Sequence, residues 1–375
     1  MITMCDYYGM CDENGKCVGH PVKVTTEYGE ILKGLGEDLR LVCSPCIASG
    51  VTASDLFGEV IRLPHDISIV GNSLIKRIAD KFKLFKNIKL ALANKGTIFF
   101  YQVDFFFFLY LKLFYKRTAD RKLVILIYHQ DFTGGIFAPM LKKIYEKVLA
   151  KIDGVIYTQK GAEVPHDNVV WMPDFIYRAD EYEKYQNAFK INRVVCLGTM
   201  SRYKQIEELI EVWLKLDADH NIGPVTREDM PGRNDEMAVF VPELIIAGRF
   251  DTKERFDALS ANLPENVTIR NEVLSNEEYM TLLSGSMYSI LPYDMDQYKN
   301  RTSGVLLESI YCGVTPIAPN RLLEQNRLPG IGYDDFDDLA KKLISDDQPS
   351  FDRSGIYKEY GIEYATDVFR KMLVG

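Results

Sequence analysis

Asn300-Arg-Thr-Ser-Gly-Val-Leu-Leu-Glu-Ser-Ile-Tyr-Cys-Gly-Val-Thr-Pro-Ile-Ala318 reads as a loop, a helix, a turn and a buried strand. The helix runs over Ser303–Tyr311 and stops at Gly313; the strand over Val314–Ala318 precedes Pro319. Thr302, Ser303 and Gly304 open the helix, where exposed amides and the positive end of the dipole suit a phosphate. Gly304 lets the backbone approach a ligand closely. Glu308 lies just over one turn further in, where a carboxylate can accept two ribose hydroxyls. Taken alone, the same residues suit an ordinary capped helix with a half-exposed glutamate.

Outward from this stretch, strand-like runs alternate with amphipathic helices, the pattern of parallel α/β layers. Upstream come strands at Arg193–Leu197, Leu244–Ala247, Val267–Arg270 and Tyr288–Leu291. A helix over Ile206–Leu216 carries Ile206, Leu209, Ile210 and Trp213 on one face, and Ser275 with Glu278 forms a capping box. In the first half, strands are expected at Leu39–Val42, Thr97–Val103, Leu123–Tyr128 and Gly154–Tyr157, with a helix over Met140–Leu149. Tyr177–Lys190 is polar and tyrosine-rich with little apolar periodicity, and reads as a linker. Residues 218–242 read as an inserted loop, and 356–373 as a last helix.

The chain has 375 residues, enough for two domains, and is 47% hydrophobic and 26% charged, a globular balance. A net charge of -8 argues against a general nucleic-acid binder. The charge is uneven: residues 1–180 carry +3 and the remainder -11. No signal peptide is expected, because Asp6, Asp12 and Glu13 interrupt any apolar stretch. Phe105–Leu111 is too short to span a membrane, so a cytoplasmic location is expected. Seven cysteines read as free thiols. Cys43-Ser-Pro-Cys46 has metal-ligand spacing, but Cys17-x-x-His20 is a poor second pair and no metal is expected.

Four segments in order resemble the family 4 (group 1) retaining glycosyltransferases of the GT-B fold. The opening stretch resembles their E-x7-E region with its closing "LLEAMACGxPVIA". Val195-Cys-Leu-Gly-Thr-Met-Ser-Arg-Tyr-Lys-Gln-Ile-Glu-Glu-Leu-Ile210 resembles "VGRLxxxKGxxxLI", and Leu244-Ile-Ile-Ala-Gly248 is similar to "LxIxGxG". Leu274-Ser-Asn-Glu-Glu-Tyr-Met-Thr-Leu-Leu283 resembles "LxxEELxxLL". The set covers about residues 193–320; residues 1–190 match only loosely. The resemblance implies an α/β GT-B architecture, two Rossmann-like domains facing across a cleft. Residues 1–187 would bind acceptor, 188–352 would bind nucleotide sugar, and 353–375 would form a C-terminal helix returning to the first domain.

The resemblance further implies a donor site in which Lys204 pairs with the diphosphate and Glu308 binds the ribose. Gly198, Thr302, Ser303 and Gly304 would lie at the phosphates. Two departures stand out: the first glutamate of the motif is Asn300, and the family arginine after the first glycine is Thr199. Arg202 and Arg301 are the candidates to supply the missing cation. Asn300 hydrogen-bonds but carries no charge, so stereochemistry and donor sugar stay open. His129, at the end of the Leu123–Tyr128 strand, resembles the family histidine that touches the transferred sugar. Asp131 is a weaker acceptor candidate, and Gly19-His20 a faint match to a glycine-rich loop. Asp294-Met-Asp296 imitates a metal motif in the wrong place, and Asp334–Asp338 reads as the first turn of a solvated helix.

Residues 76–122 hold twelve Lys and Arg against three Asp, a net of +9, interleaved with Phe82, Phe85 and the aromatics of Phe105–Tyr115. Such a surface suits an anionic membrane; equally, the phenylalanines suit a core and the lysines a solvated face. The expected activity is metal-independent sugar transfer from a nucleotide-diphosphate sugar, uridine slightly favoured, to a glycan or lipid-linked hydroxyl. Polysaccharide or glycoconjugate synthesis is the implied setting, with no cofactor beyond the co-substrate. The alternatives are a catalytically impaired GT-B-like partner of an active transferase, or a nucleotide-sugar epimerase.

Overall fold

A computed structural model of the protein describes residues 1–11, 15, 17, 21–51, 55–68, 74–128, 138–160, 163–220, 241–298, 301–345 and 350–375. They form two compact units: Met1–Ile176 with Tyr360–Gly375, and Tyr177–Glu359.

The first unit begins β1 (Ile2–Asp6), β2 (Met10–Cys11), α1 (Pro21–Gly34), β3 (Leu39–Cys43), α2 (Pro45–Val51), β4 (Glu59–Arg62) and β5 (Ile67–Ser68). It continues α3 (Leu74–Ala91), β6 (Gly96–Phe100), α4 (Phe105–Phe114), β7 (Arg121–Ile127), α5 (Ala138–Leu149), β8 (Gly154–Tyr157) and β9 (Val169–Trp171). Among the described residues its main sheet has seven parallel strands in the order β4-β3-β1-β6-β7-β8-β9. Successive side chains point to opposite faces, and both faces are buried, as a parallel sheet between helices requires. Met4, Leu41, Phe99 and Leu126 pack in one core; Cys5, Val42, Phe100 and Ile125 pack in the other. β1 lies inside this sheet although the sequence signalled no strand there.

The second unit runs α6 (Ala179–Gln186), β10 (Ile191–Leu197), α7 (Ile206–His220), β11 (Glu243–Ala247), α8 (Lys253–Ser260), β12 (Val267–Arg270), α9 (Asn276–Ser284) and β13 (Ser286–Ile290). It ends α10 (Gly304–Tyr311), β14 (Thr315–Pro319), α11 (Asn320–Asn326), β15 (Ile331–Tyr333), α12 (Phe336–Leu343) and α13 (Ser354–Glu359). Its described strands form one parallel sheet, β12-β11-β10-β13-β14-β15. Trp213 of α7 is fully buried, and its indole N–H donates to the Pro242 carbonyl at 2.9 Å. The chain leaves β10 toward β11 and β12, then returns to the other side of β10 for β13, β14 and β15. The topological switch point therefore lies between β10 and β13, the place where open parallel sheets bind ligands beyond the carboxyl ends of their strands.

Two expectations change. The stretch read as a linker contains α6, and Tyr182 anchors it, buried against the rings of Tyr177 at 6.0 Å and Tyr311 at 5.2 Å. The last helix is interrupted: α13 ends at Glu359, and α14 (Ile362–Phe369) starts after Gly361, which adopts extended backbone at φ -76, ψ 163. Phe369 of α14 packs edge-on to Tyr28 at 5.3 Å and Phe99 at 5.6 Å, which places this segment in the first unit.

Candidate functional site

The loop after β10 is built by a close backbone approach. Gly198 has φ +95, and its N–H donates to the Ala247 carbonyl at 3.2 Å. Gly248, after β11, has φ +156, and a Cβ there would stand 1.7 Å from the Gly198 carbonyl oxygen. Glycine is thus required on both sides of the contact. Met200 then bonds to the Arg249 carbonyl at 2.9 Å, and Lys204 bridges across the switch point to Tyr293, after β13.

Lys204 is 5% exposed; its Nζ donates to the Leu197 carbonyl at 2.6 Å and stands 5.7 Å from the centre of the Tyr293 ring. Burial pushes its pKa down, only partly opposed by the neighbouring Cys196. A Cβ on Gly198 would lie 3.9 Å from both the Lys204 amine and Val305 Cγ2 in the first turn of α10. The buried Lys204 amine, Gly198 and the first turn of α10 thus lie close together at the switch point.

Ser303 caps α10, its Oγ accepting from the Leu306 N–H at 3.4 Å. The first amides of a helix have no partner within it and the dipole leaves them positive, so this end favours an anion. The preceding loop is held by aromatic rings. Tyr293 and Tyr298 stack in parallel at 3.9 Å, and the Tyr298 hydroxyl donates to the Thr302 carbonyl at 3.0 Å. The Tyr293 hydroxyl lies 3.4 Å from Ser303 Oγ. The Arg301 guanidinium stands 5.8 Å from the Tyr298 ring and 5.4 Å from the Tyr203 ring. One turn into α10, Glu308 Oε2 accepts from the Tyr279 hydroxyl at 2.6 Å. Tyr279 stands on α9, which opens with the capping box of Ser275 and Glu278.

Gly198, Lys204, Ser303 and Gly304 therefore come together, with Thr302 and Arg301 in the adjoining loop and Glu308 along the helix. Arg202 stands apart, 86% exposed at its side chain and 3.8 Å from Asp251. His129, Asn300, Asp131, Gly19 and His20 lie outside the described residues. Asp294 is engaged locally: Oδ1 accepts from the Asp296 N–H at 2.9 Å and Oδ2 from Gln297 Nε2 at 2.5 Å. Among the described residues no group of His, Cys, Asp and Glu has metal-binding geometry, although Cys17 and Cys46 bring their sulfurs within 3.5 Å.

Sequence reasoning missed Arg255. From α8 it donates to the carbonyls of Met200 and Lys204, each at 3.0 Å, and makes a two-pronged pair with Glu207, both bonds 2.7 Å. It clamps both ends of the loop that carries Lys204. The local signal was only a charged residue in a solvated helix, 51 positions from the carbonyl it binds. Arg255→Met is expected to lower stability by about 1–3 kcal/mol, the range for bonds involving a charged group. Chemical denaturation would measure this, and a change below the error of the midpoint would refute the clamp.

No protein-family model matches the chain, and no curated protein matches it by sequence. Solved structures do match it in shape. It is similar to the N-terminal domain of a Candida albicans trehalose-6-phosphate phosphatase, with a TM-score of 0.62 and 11% identity over 100% of this chain and 96% of that one. It is similar to a UDP-forming α,α-trehalose-phosphate synthase from Burkholderia xenovorans, with a TM-score of 0.58 and 8% identity over 99% of each chain. A glycosyltransferase from Rickettsia africae gives 0.55 and 15% over 99% of this chain and 94% of that one. At these identities the likeness defines a fold. The chain has the GT-B fold, two Rossmann-like domains with parallel sheets of seven and six described strands.

Proposed function

We propose that the protein is a glycosyltransferase whose second unit holds a nucleotide-diphosphate sugar, uridine slightly favoured as the base. The observation that carries this reading is the meeting of Lys204, Gly198 and the N-terminus of α10 at the β10/β13 switch point. Lys204 and the α10 amides take the diphosphate, and Glu308 takes the ribose. In transfer the bond between the anomeric carbon and the diphosphate oxygen breaks, and a bond to an acceptor hydroxyl oxygen forms as that hydroxyl's proton passes to the departing diphosphate. The leaving diphosphate gains charge, which fixed cations and helix amides stabilise, with no metal assigned a part. His129 and Asn300 are assigned to the transferred sugar. The acceptor is a glycan or lipid-linked hydroxyl taken from the first unit, in polysaccharide or glycoconjugate synthesis.

Turnover of a panel of nucleotide sugars, with and without glycan and lipid acceptors, tests the reading. Release of nucleoside diphosphate coupled to acceptor glycosylation is expected. Interconversion of donor sugars without acceptor would make the protein an epimerase. Donor binding without any turnover would make it a binding partner of an active transferase.

A membrane-facing surface fits the same reading. No helix among the described residues is long and apolar enough to cross a bilayer. α3 and α4 nevertheless expose Phe82 (49%), Leu113 (57%) and Phe114 (59%). Phe82 and Phe114 each pack edge-on to Phe85, at 5.2 and 6.1 Å. Lys86, Lys89, Lys112 and Lys116 are exposed on the same two helices and the turn that follows. Each cation near an anionic leaflet contributes about 1 kcal/mol, and exposed aromatic rings add apolar anchoring. The protein is expected to float with anionic but not neutral vesicles, and Phe82→Ser with Phe114→Ser to weaken this at least ~10-fold. Failure to bind either vesicle would remove the membrane from the account.

A further inference from the structure

The family pattern "LxxEELxxLL" has leucine where this chain has Tyr279, and the added phenol does not simply fill the core. Its hydroxyl reaches from α9 to α10 and donates to Glu308 Oε2 at 2.6 Å, across 29 residues of sequence. We propose that Tyr279 is a positioning residue for Glu308, fixing the direction in which the carboxylate meets the ribose of a bound nucleoside diphosphate. The proposal rests on the donor-site reading above.

Three features support it. The bond is short and made to a carboxylate, the kind of hydrogen bond that is strong and directional. The donor side is rigid: the capping box fixes the start of α9, and Met280 and Leu283 of the same helix are buried. The phenol also keeps its proton, because burial and the adjacent Glu308 charge push its pKa well up. Glu308 alone has several rotatable bonds, and a side chain held before the ligand arrives loses less freedom on binding. The tyrosine thus makes ribose recognition depend on two helices rather than one.

Calorimetric titration of the full chain with UDP, GDP and ADP, and with their 2′,3′-dideoxy analogues, tests the proposal in wild type, Tyr279→Phe and Tyr279→Leu. Both variants are expected to weaken the preferred nucleoside diphosphate roughly 5–20-fold. Binding of the dideoxy analogue, which lacks the hydroxyls Glu308 would accept, should change less than about twofold, because the lost bond acts only through Glu308. In a Glu308→Gln background the tyrosine substitutions should add little, since coupled residues are not additive. Unchanged ribonucleotide affinity in both variants would overturn the proposal. So would an equal loss for the ribo and dideoxy forms, which marks a merely structural tyrosine. Wild-type protein that is folded but binds none of the three diphosphates would instead take down the donor-site reading itself.

Discussion

Replacing Lys204 by methionine is expected to weaken nucleoside diphosphate binding on the order of 100-fold or more, while the protein stays folded. Hydrogen bonds to charged groups contribute about 1.5–3 kcal/mol each, so two lost bonds to a diphosphate reach that scale. The stability effect is smaller and depends on pH. Burial holds the folded amine below its ordinary value of 10.5, so the unfolded chain binds more protons at this group. The penalty is complete at low pH, and it fades as pH climbs through the folded pKa toward 10.5. Wild type should therefore gain stability relative to Lys204→Met across that window. Denaturant midpoints of the two proteins over a pH series would show the slope, and an opposite slope would mean that Lys204 is paired rather than desolvated. Methionine also removes the bond to the Leu197 carbonyl, a loss of about 1 kcal/mol that opposes the relief of desolvation.

The largest stability loss is expected from Gly248→Ala. The added carbon would stand 1.7 Å from a backbone oxygen, and backbone does not yield as a side-chain tip does. A cost of roughly 3 kcal/mol or more follows, at the upper end for overpacking, and about 6–12 °C in melting temperature. Because the clashing oxygen belongs to Gly198, nucleotide affinity should fall with stability. Alanine at Gly355, where nothing lies within 4 Å, is the control and should be nearly neutral. Equal behaviour of the two variants would contradict the close approach of the two strand ends.

The grouping of candidate residues in the second unit was legible because their motifs are local. Ser303, Gly304 and Glu308 share one helix turn or two, and the resemblance of two separate motifs, not spacing, joined Lys204 to them. Residues that act across elements left no such trace. Tyr279 meets Glu308 only because α9 packs beside α10, and Arg255 reaches the Lys204 loop only because β11 lies next to β10. Proximity in sequence favoured Arg202, which the structure leaves at the surface near Asp251. α6 was hidden for a related reason: its anchor is a tyrosine whose ring is buried among other tyrosines, a pattern that hydrophobic periodicity does not register. β1 mixes Thr3 and Cys5 with its apolar residues and ends in Asp6, so its apolar run is broken and did not stand out. In the first unit, His129 was placed by its position at a strand end and by resemblance, Asp131 by position, and both lie outside the described residues.

On the proposed function, the β10/β13 switch point holds a nucleoside diphosphate. Calorimetric titration of the folded wild-type protein with UDP, GDP and ADP, with Lys204→Met and Glu308→Gln alongside, tests it most directly. The expected result is saturable binding of one diphosphate, weakened in both variants, with UDP the first candidate. Binding to none of the three, or binding that both variants retain at full strength, would contradict it.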